Sequence, residues 1–178
     1  MRDDHQRDVP LPLAVTLRNG RSATVRPICP EDKDAFEAAF ERLCAEARYT
    51  RFFTAVCTLS EKILDSATHP APDREVALVA LSNEGSRQII IGGARYASAP
   101  GSDTCEFAVT VADDWHGLGL ARRLMETLIE IARARGLHRM EGFVLPANSG
   151  MRGLATRLGF ADAQCPEDRT LRLVTLEL

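Results

Sequence analysis

Two features of this chain could do chemistry together. One is the Gly-rich turn His116-Gly117-Leu118-Gly119-Leu120-Ala121-Arg122, and the other is a lone carboxylate a short way upstream, Glu106, inside the apolar run Cys105-Glu106-Phe107-Ala108-Val109. Gly117 and Gly119 remove Cβ atoms where the backbone must curl, so a ligand can approach closely. The helix expected over residues 118–135 leaves its first N–H groups without intrahelical partners. Its aligned peptide dipoles add positive character at the same end. A turn of free N–H groups at a helix start cradles phosphate. The glycine spacing is neither G-x-G-x-x-G nor a loop followed by Gly-Lys-Ser/Thr. Arg122 is placed to add charge to a bound phosphate, whereas Arg123 reads as part of a solvated helix face. His116 either donates to a phosphate or shapes the turn.

In an extended strand Glu106, Ala108 and Thr110 share one face, and Cys105, Phe107, Val109 and Val111 share the other. Burial among small residues raises a carboxyl pKa towards a value useful for a general base. The alternative is a strand-end glutamate in an ion pair.

The elements that must position these groups follow from patterning. Residues 13–17 and 23–26 flank Asn19-Gly20, which favours a two-residue type I′ hairpin turn. Residues 31–47 carry a helical stripe of Phe36, Phe40, Leu43 and Cys44. Residues 48–53 form a second apolar piece. A short helix over 60–68 starts at Ser60 as N-cap and stops before Pro70. Strands are expected over 76–81, nearly all apolar as a central strand should be, over 88–97 with Gly92-Gly93 as a bulge or close-approach point, and over 104–111. After the long helix come a strand over 140–145, a helix over 148–158 and a strand over 169–177. Residues 1–12, charged and then broken by Pro10 and Pro12, read as a disordered or loosely packed arm. A meander followed by a crossover implies a mixed sheet with helices on both faces.

Composition narrows the options. At 178 residues, 45% of them hydrophobic and 26% charged, residues 13–178 make one globular domain. A net charge of −3 argues against a nucleic-acid-binding body. No apolar run approaches a membrane span. Five cysteines without a C-x-x-C pair read as reduced thiols of a cytoplasmic protein. The four histidines are scattered, so no metal is expected.

The turn resembles the acyl-CoA-binding motif of the GNAT N-acetyltransferase superfamily, Q/R-x-x-G-x-G/A. Here His116 stands at the first position, a departure from Gln or Arg, and Ala121 at the last. The element order over 13–178 is also similar to that superfamily's α/β (α+β) fold, a mixed, mostly antiparallel sheet with helices on both faces. Within it, Ala23-Thr24-Val25-Arg26-Pro27, Arg48-Tyr49-Thr50-Arg51-Phe52-Phe53, Cys105-Glu106-Phe107-Ala108-Val109 and Ala132-Arg133-Ala134-Arg135-Gly136-Leu137 resemble the acetyltransferase domain of bacterial Pat-type protein lysine acetyltransferases. In many of those proteins this domain is joined to an acyl-CoA-synthetase-like or cyclic-nucleotide domain, and neither is read in this sequence.

The resemblance implies acetyl-CoA as acyl donor and a primary amine as acceptor, a protein lysine first, with Glu106 as the catalytic base. It implies that the N–H groups of Gly117, Leu118, Gly119, Leu120 and Ala121 meet the diphosphate. It also implies that the main chain of Val109 and Val111 pairs with the pantetheine arm, much as a peptide adds to a sheet edge. Asn148 either caps the last helix or also contacts the cofactor. Many members carry a Tyr as proton donor where this chain has Ala155; Pat-type members lack it too. A CoA thiol, with pKa near that of Cys at about 8.5, can be protonated by water. The 48–53 segment is expected to wall the acceptor groove or simply to pack. A small-molecule amine acceptor and a non-catalytic acyl-CoA-binding module are the competing readings. A monomer or homodimer is expected, without nucleic-acid or membrane partners.

Overall fold

A computed structural model describes residues 9–52 and 58–178. One eight-stranded sheet runs in the order β1 (Leu13–Thr16), β2 (Ser22–Pro27), β3 (Glu75–Glu84), β4 (Arg87–Ser98), β5 (Thr104–Val111), β6 (Arg139–Val144), β8 (Arg172–Glu177), β7 (Ala161–Gln164). Every neighbouring pair is antiparallel except β5 with β6. This is the mixed, mostly antiparallel α/β sheet that the element order implied.

Helices cover both faces. On one side α1 (Lys33–Glu41) sets Phe36 and Ala39 against Ile28, Ala77, Val79, Leu81 and Ile90. Then follow α2 (Ala45–Phe52) and α3 (Glu61–Thr68), the latter capped by Ser60, whose Oγ accepts from the Ile63 N–H at 3.3 Å. On the other side lies α4 (Leu120–Ala134). Its Leu120, Leu124, Leu128 and Ala132 recur every four residues, are almost wholly buried, and pack with Leu78, Ala80, Tyr96 and Phe107. The last helix, α5 (Ser149–Arg157), lies against β7. Among the described residues no helix is long and apolar enough to cross a membrane.

The sequence reading needs four corrections. The expected single helix over 31–47 breaks between α1 and α2, because Arg48 donates to the carbonyls of Glu41 (2.7 Å) and Leu43 (3.1 Å) while the Cys44 N–H goes to Asp113 Oδ2 (3.0 Å). The first hairpin closes through three residues rather than two. The Leu17 N–H reaches the Arg21 carbonyl at 2.8 Å, the Gly20 N–H reaches the Leu17 carbonyl at 2.9 Å, and Gly20 takes φ 81°. The final strand starts at Arg172 rather than at 169. β7 carries no apolar alternation, yet it pairs with β8 and is pinned there by Asp162, which accepts from Arg152 and Arg172, each at 2.7 Å. The bulge expected near Gly92-Gly93 is present: Ala80 opposes Gly92 and Leu81 opposes Ile90, leaving Ile91 as the extra residue. Of the N-terminal arm, residues 1–8 fall outside the described residues, and Leu11 is half-buried against the core.

Candidate active site

The site begins where two strands part. β5 and β6 pair only through Thr104–Arg139, Cys105–Met140 and Glu106–Glu141. Beyond that rung β5 stays bonded to β4 as far as Val111, and β6 to β8 as far as Val144. The facing edges of Phe107–Val111 and Gly142–Val144 are therefore left unpaired with one another. A backbone edge of this kind can take the amides of an extended ligand arm. Phe107 stands at the point of divergence. A Cβ on Gly142 would meet its Cε1 at 2.5 Å and its Cζ at 2.7 Å, so the ring occupies space that only glycine leaves free. Phe160 meets the same ring edge-on, with centroids 5.3 Å apart.

The opening leads into a groove of about 840 Å³. Glu106, Val109, Val111, His116, Gly117, Gly119, Leu120, Ala121, Arg122 and Asn148 all line it. Leu118 does not; its half-buried side chain packs on the core and its carbonyl accepts from the Arg18 N–H at 3.2 Å. Gly117 (φ 71°) and Gly119 (φ 90°) hold the left-handed conformation that gives the turn its curl. Gly119 is the N-cap of α4, and no side chain caps the helix. The first-turn N–H groups accordingly face the groove end without a side-chain acceptor, as an anion site requires.

The remaining predicted residues divide by partner. His116 Nε2 lies 2.8 Å from the Val111 carbonyl, so the ring ties the turn back onto β5 and Val111 has that oxygen engaged. Because a carbonyl only accepts, Nε2 carries the hydrogen. Asn148 caps α5, its Oδ1 accepting from the Met151 N–H at 3.1 Å, and also lines the groove. Arg122 and Arg123 both reach Glu126, at 2.8 and 3.2 Å. Ala155 is fully buried in the core. From the 48–53 segment, Tyr49 and Arg51 line the groove, while Phe53 lies outside the described residues.

Glu106 sits on the α1–α3 side of the sheet, exposed to the groove but backed by protein. Among the described residues its carboxylate makes no hydrogen bond or salt bridge. Partial desolvation raises its pKa; the neighbouring Glu141 carboxylate adds to the rise and the Arg51 guanidinium opposes it. Cys105, on the opposite face, is buried and its thiol is pushed up to about 12. It offers no thiolate nucleophile for a covalent intermediate. Among the described residues no group of His, Cys, Asp and Glu could hold a metal ion.

Sequence reasoning missed Arg18. At the tip of the first hairpin it lines the groove and places Nη1 3.5 Å from the Gly117 carbonyl. No local pattern joins positions 99 residues apart.

Comparison with known proteins gives this geometry a family. Residues 34–160 match the model of the Acetyltransferase (GNAT) family. The chain belongs to the GNAT acetyltransferase family. It is 36% identical over 155 residues to an acetyltransferase of Pseudomonas aeruginosa, covering 87% of this chain and 83% of that one. It is 30% identical over 154 residues to the acetyltransferase Pat of Mycolicibacterium smegmatis, covering 83% of this chain but only 44% of that longer protein. Among solved structures, the GNAT domain of S. lividans PAT superposes with a TM-score of 0.85 at 29% identity, covering 96% of this chain and all of that one. As a GNAT protein it is an acetyl-CoA-dependent acetyltransferase.

Proposed function

We propose that this GNAT protein transfers the acetyl group of acetyl-CoA directly to the side-chain amine of a protein lysine, with Glu106 as general base. One observation carries the reading: Glu106 and the uncapped turn, through Gly117, Gly119, Leu120 and Ala121, line a single groove, at the two ends of the unpaired β5 edge. A diphosphate on the turn and a pantetheine arm along Val109 and Val111 would bring the thioester beside the carboxylate.

A lysine with pKa about 10.4 is almost wholly protonated at neutral pH, with about one in a thousand or fewer as free amine. Glu106 takes the ammonium proton, the nitrogen adds to the thioester carbon, and the tetrahedral oxyanion collapses with cleavage of the C–S bond. The nitrogen gives up its second proton as the C–S bond breaks, and water carries that proton to the departing CoA thiolate. Glu141 beside Glu106 favours the approach of a cation. Support for a lysine acceptor comes from the likeness to Pat, which covers less than half of that protein.

A second acceptor class has an observation of its own. An apolar cavity of about 350 Å³ under α1 and α3 shares Arg51, Ala108 and Thr110 with the groove, room enough for a small amine. Mass spectrometry after incubation with acetyl-CoA and either lysate proteins or a panel of small amines separates the two. Glu106→Gln should retain acetyl-CoA binding and lose about 10²–10⁴-fold in turnover. Wild-type turnover in that variant would refute the base assignment. Absence of turnover in the wild type with every acceptor would favour a non-catalytic acyl-CoA-binding module.

A further inference from the structure

The arginines at the start of α4 are already engaged by a carboxylate. Arg122 Nε and Arg123 Nη1 both bind the one carboxylate of Glu126, at 2.8 and 3.2 Å. A guanidinium already matched to a carboxylate gives less to an incoming anion.

The tip of the β1–β2 hairpin offers a different cation. The Arg18 N–H donates to the Leu118 carbonyl at 3.2 Å, so the backbone of the hairpin is fastened to the glycine turn. Arg21, three residues on, stacks over the Trp115 ring with 3.4 Å from guanidinium carbon to centroid, fixing the same tip from its other side. Between these two anchors the Arg18 guanidinium has one contact, the Gly117 carbonyl at 3.5 Å, and no carboxylate among the described residues. It lies beside Gly119, where an added Cβ would find Arg18 Nε at 3.9 Å.

We propose that Arg18 is a contact for the diphosphate of the acyl donor, delivered to the glycine turn by the first hairpin rather than by α4. This rests on the reading that the turn holds that diphosphate. The guanidinium exchanges a long contact with a neutral carbonyl for charge-assisted bonds to phosphate oxygens, while the backbone bond to Leu118 keeps the arm in place.

The test measures binding of CoA and of 3′-dephospho-CoA to wild type, Arg18→Ala, Arg18→Lys and Gly119→Val, together with steady-state kinetics for acetyl-CoA. Arg18→Ala should weaken both ligands by about tenfold or more. It should raise KM for acetyl-CoA with kcat unchanged and leave the melting temperature of the free protein unchanged. Arg18→Lys should fall between. Affinity within twofold of wild type in Arg18→Ala overturns the proposal. So does a loss confined to CoA, which would move the contact to the ribose phosphate. A lowered melting temperature with no rescue by lysine would make Arg18 a structural brace only and also overturns it. Gly119→Val separates the two layers: if it alone abolishes binding, the turn stands and Arg18 falls. If neither variant weakens binding, the turn itself is not the diphosphate site.

Discussion

Glu106 and Glu141 face each other across the last paired rung between β5 and β6. Burial raises the pKa of Glu106, and the Glu141 carboxylate beside it adds to the rise. Arg139 lies 3.6 Å from Glu141, and the Arg51 guanidinium acts on Glu106 in the opposite sense to Glu141. A raised pKa suits the general base proposed for Glu106.

The pH–rate profile should report this pairing. A general base works only when ionised, so kcat/KM rises with pH through the pKa of Glu106, which lies above the ordinary carboxylate range. Glu141→Gln removes the negative neighbour and releases Arg139, and both changes favour ionised Glu106. Its acidic limb should move to lower pH while the plateau is kept. A limb that stays in place, or moves upward, would separate Glu141 from the base.

Stability should oppose activity at the same residue. A carboxyl whose folded-state pKa is raised binds its proton more tightly when folded, so stability is lost as pH rises through that value. Glu106→Gln mimics the protonated form. Its melting temperature should exceed that of wild type at neutral pH, and the gap should close below about pH 4, where the unfolded carboxyl is also protonated.

Arg26 and Asp32 behave in the opposite sense. Arg26 grips Asp32 with two bonds of 2.7 Å, the Cys29 N–H adds a third at 2.9 Å, and the arginine holds the Asp32 pKa at about 2. Stability from this cluster is fully present above the unfolded pKa near 4 and is lost as pH falls towards about 2. For a carboxylate only 7% exposed, the shift corresponds to on the order of 2 kcal/mol. Urea melts of Asp32→Asn should show about that deficit at pH 7, shrinking steadily below pH 4.

Gly142→Ala tests the close seat of Phe107 on Gly142. With Phe107 Cε1 at 2.5 Å the new methyl has no room, and overpacking of this kind costs about 1–3 kcal/mol. Chemical denaturation should reveal the loss, and Phe107→Leu combined with it should restore part. Equal stability of Gly142→Ala and wild type would mean that the ring moves aside at little cost.

The sequence made legible whatever is encoded over short distances. The four-residue recurrence of Leu120, Leu124 and Leu128 announced α4, and the apolar run Val76–Leu81 announced a central strand. Gly117 and Gly119 announced the turn because positive φ restricts residue type where it stands. What stayed hidden depends on partners remote in the chain. The break after α1 depends on Asp113 meeting Cys44, and β7 on Asp162 meeting Arg172. The seat of the Phe107 ring on Gly142 likewise joins residues remote in the chain. The motif pointed to residues that line one groove, but not to the ties that occupy His116, Arg122 and Arg123.

Only three residue pairs stitch the two halves of the sheet together before they separate. Just past them the Phe107 ring lines the groove and rests on Gly142, where a methyl group would collide with it. Substitutions at residues 107 and 142 would therefore reshape one wall of the groove while leaving the glycine turn and Glu106 as they stand.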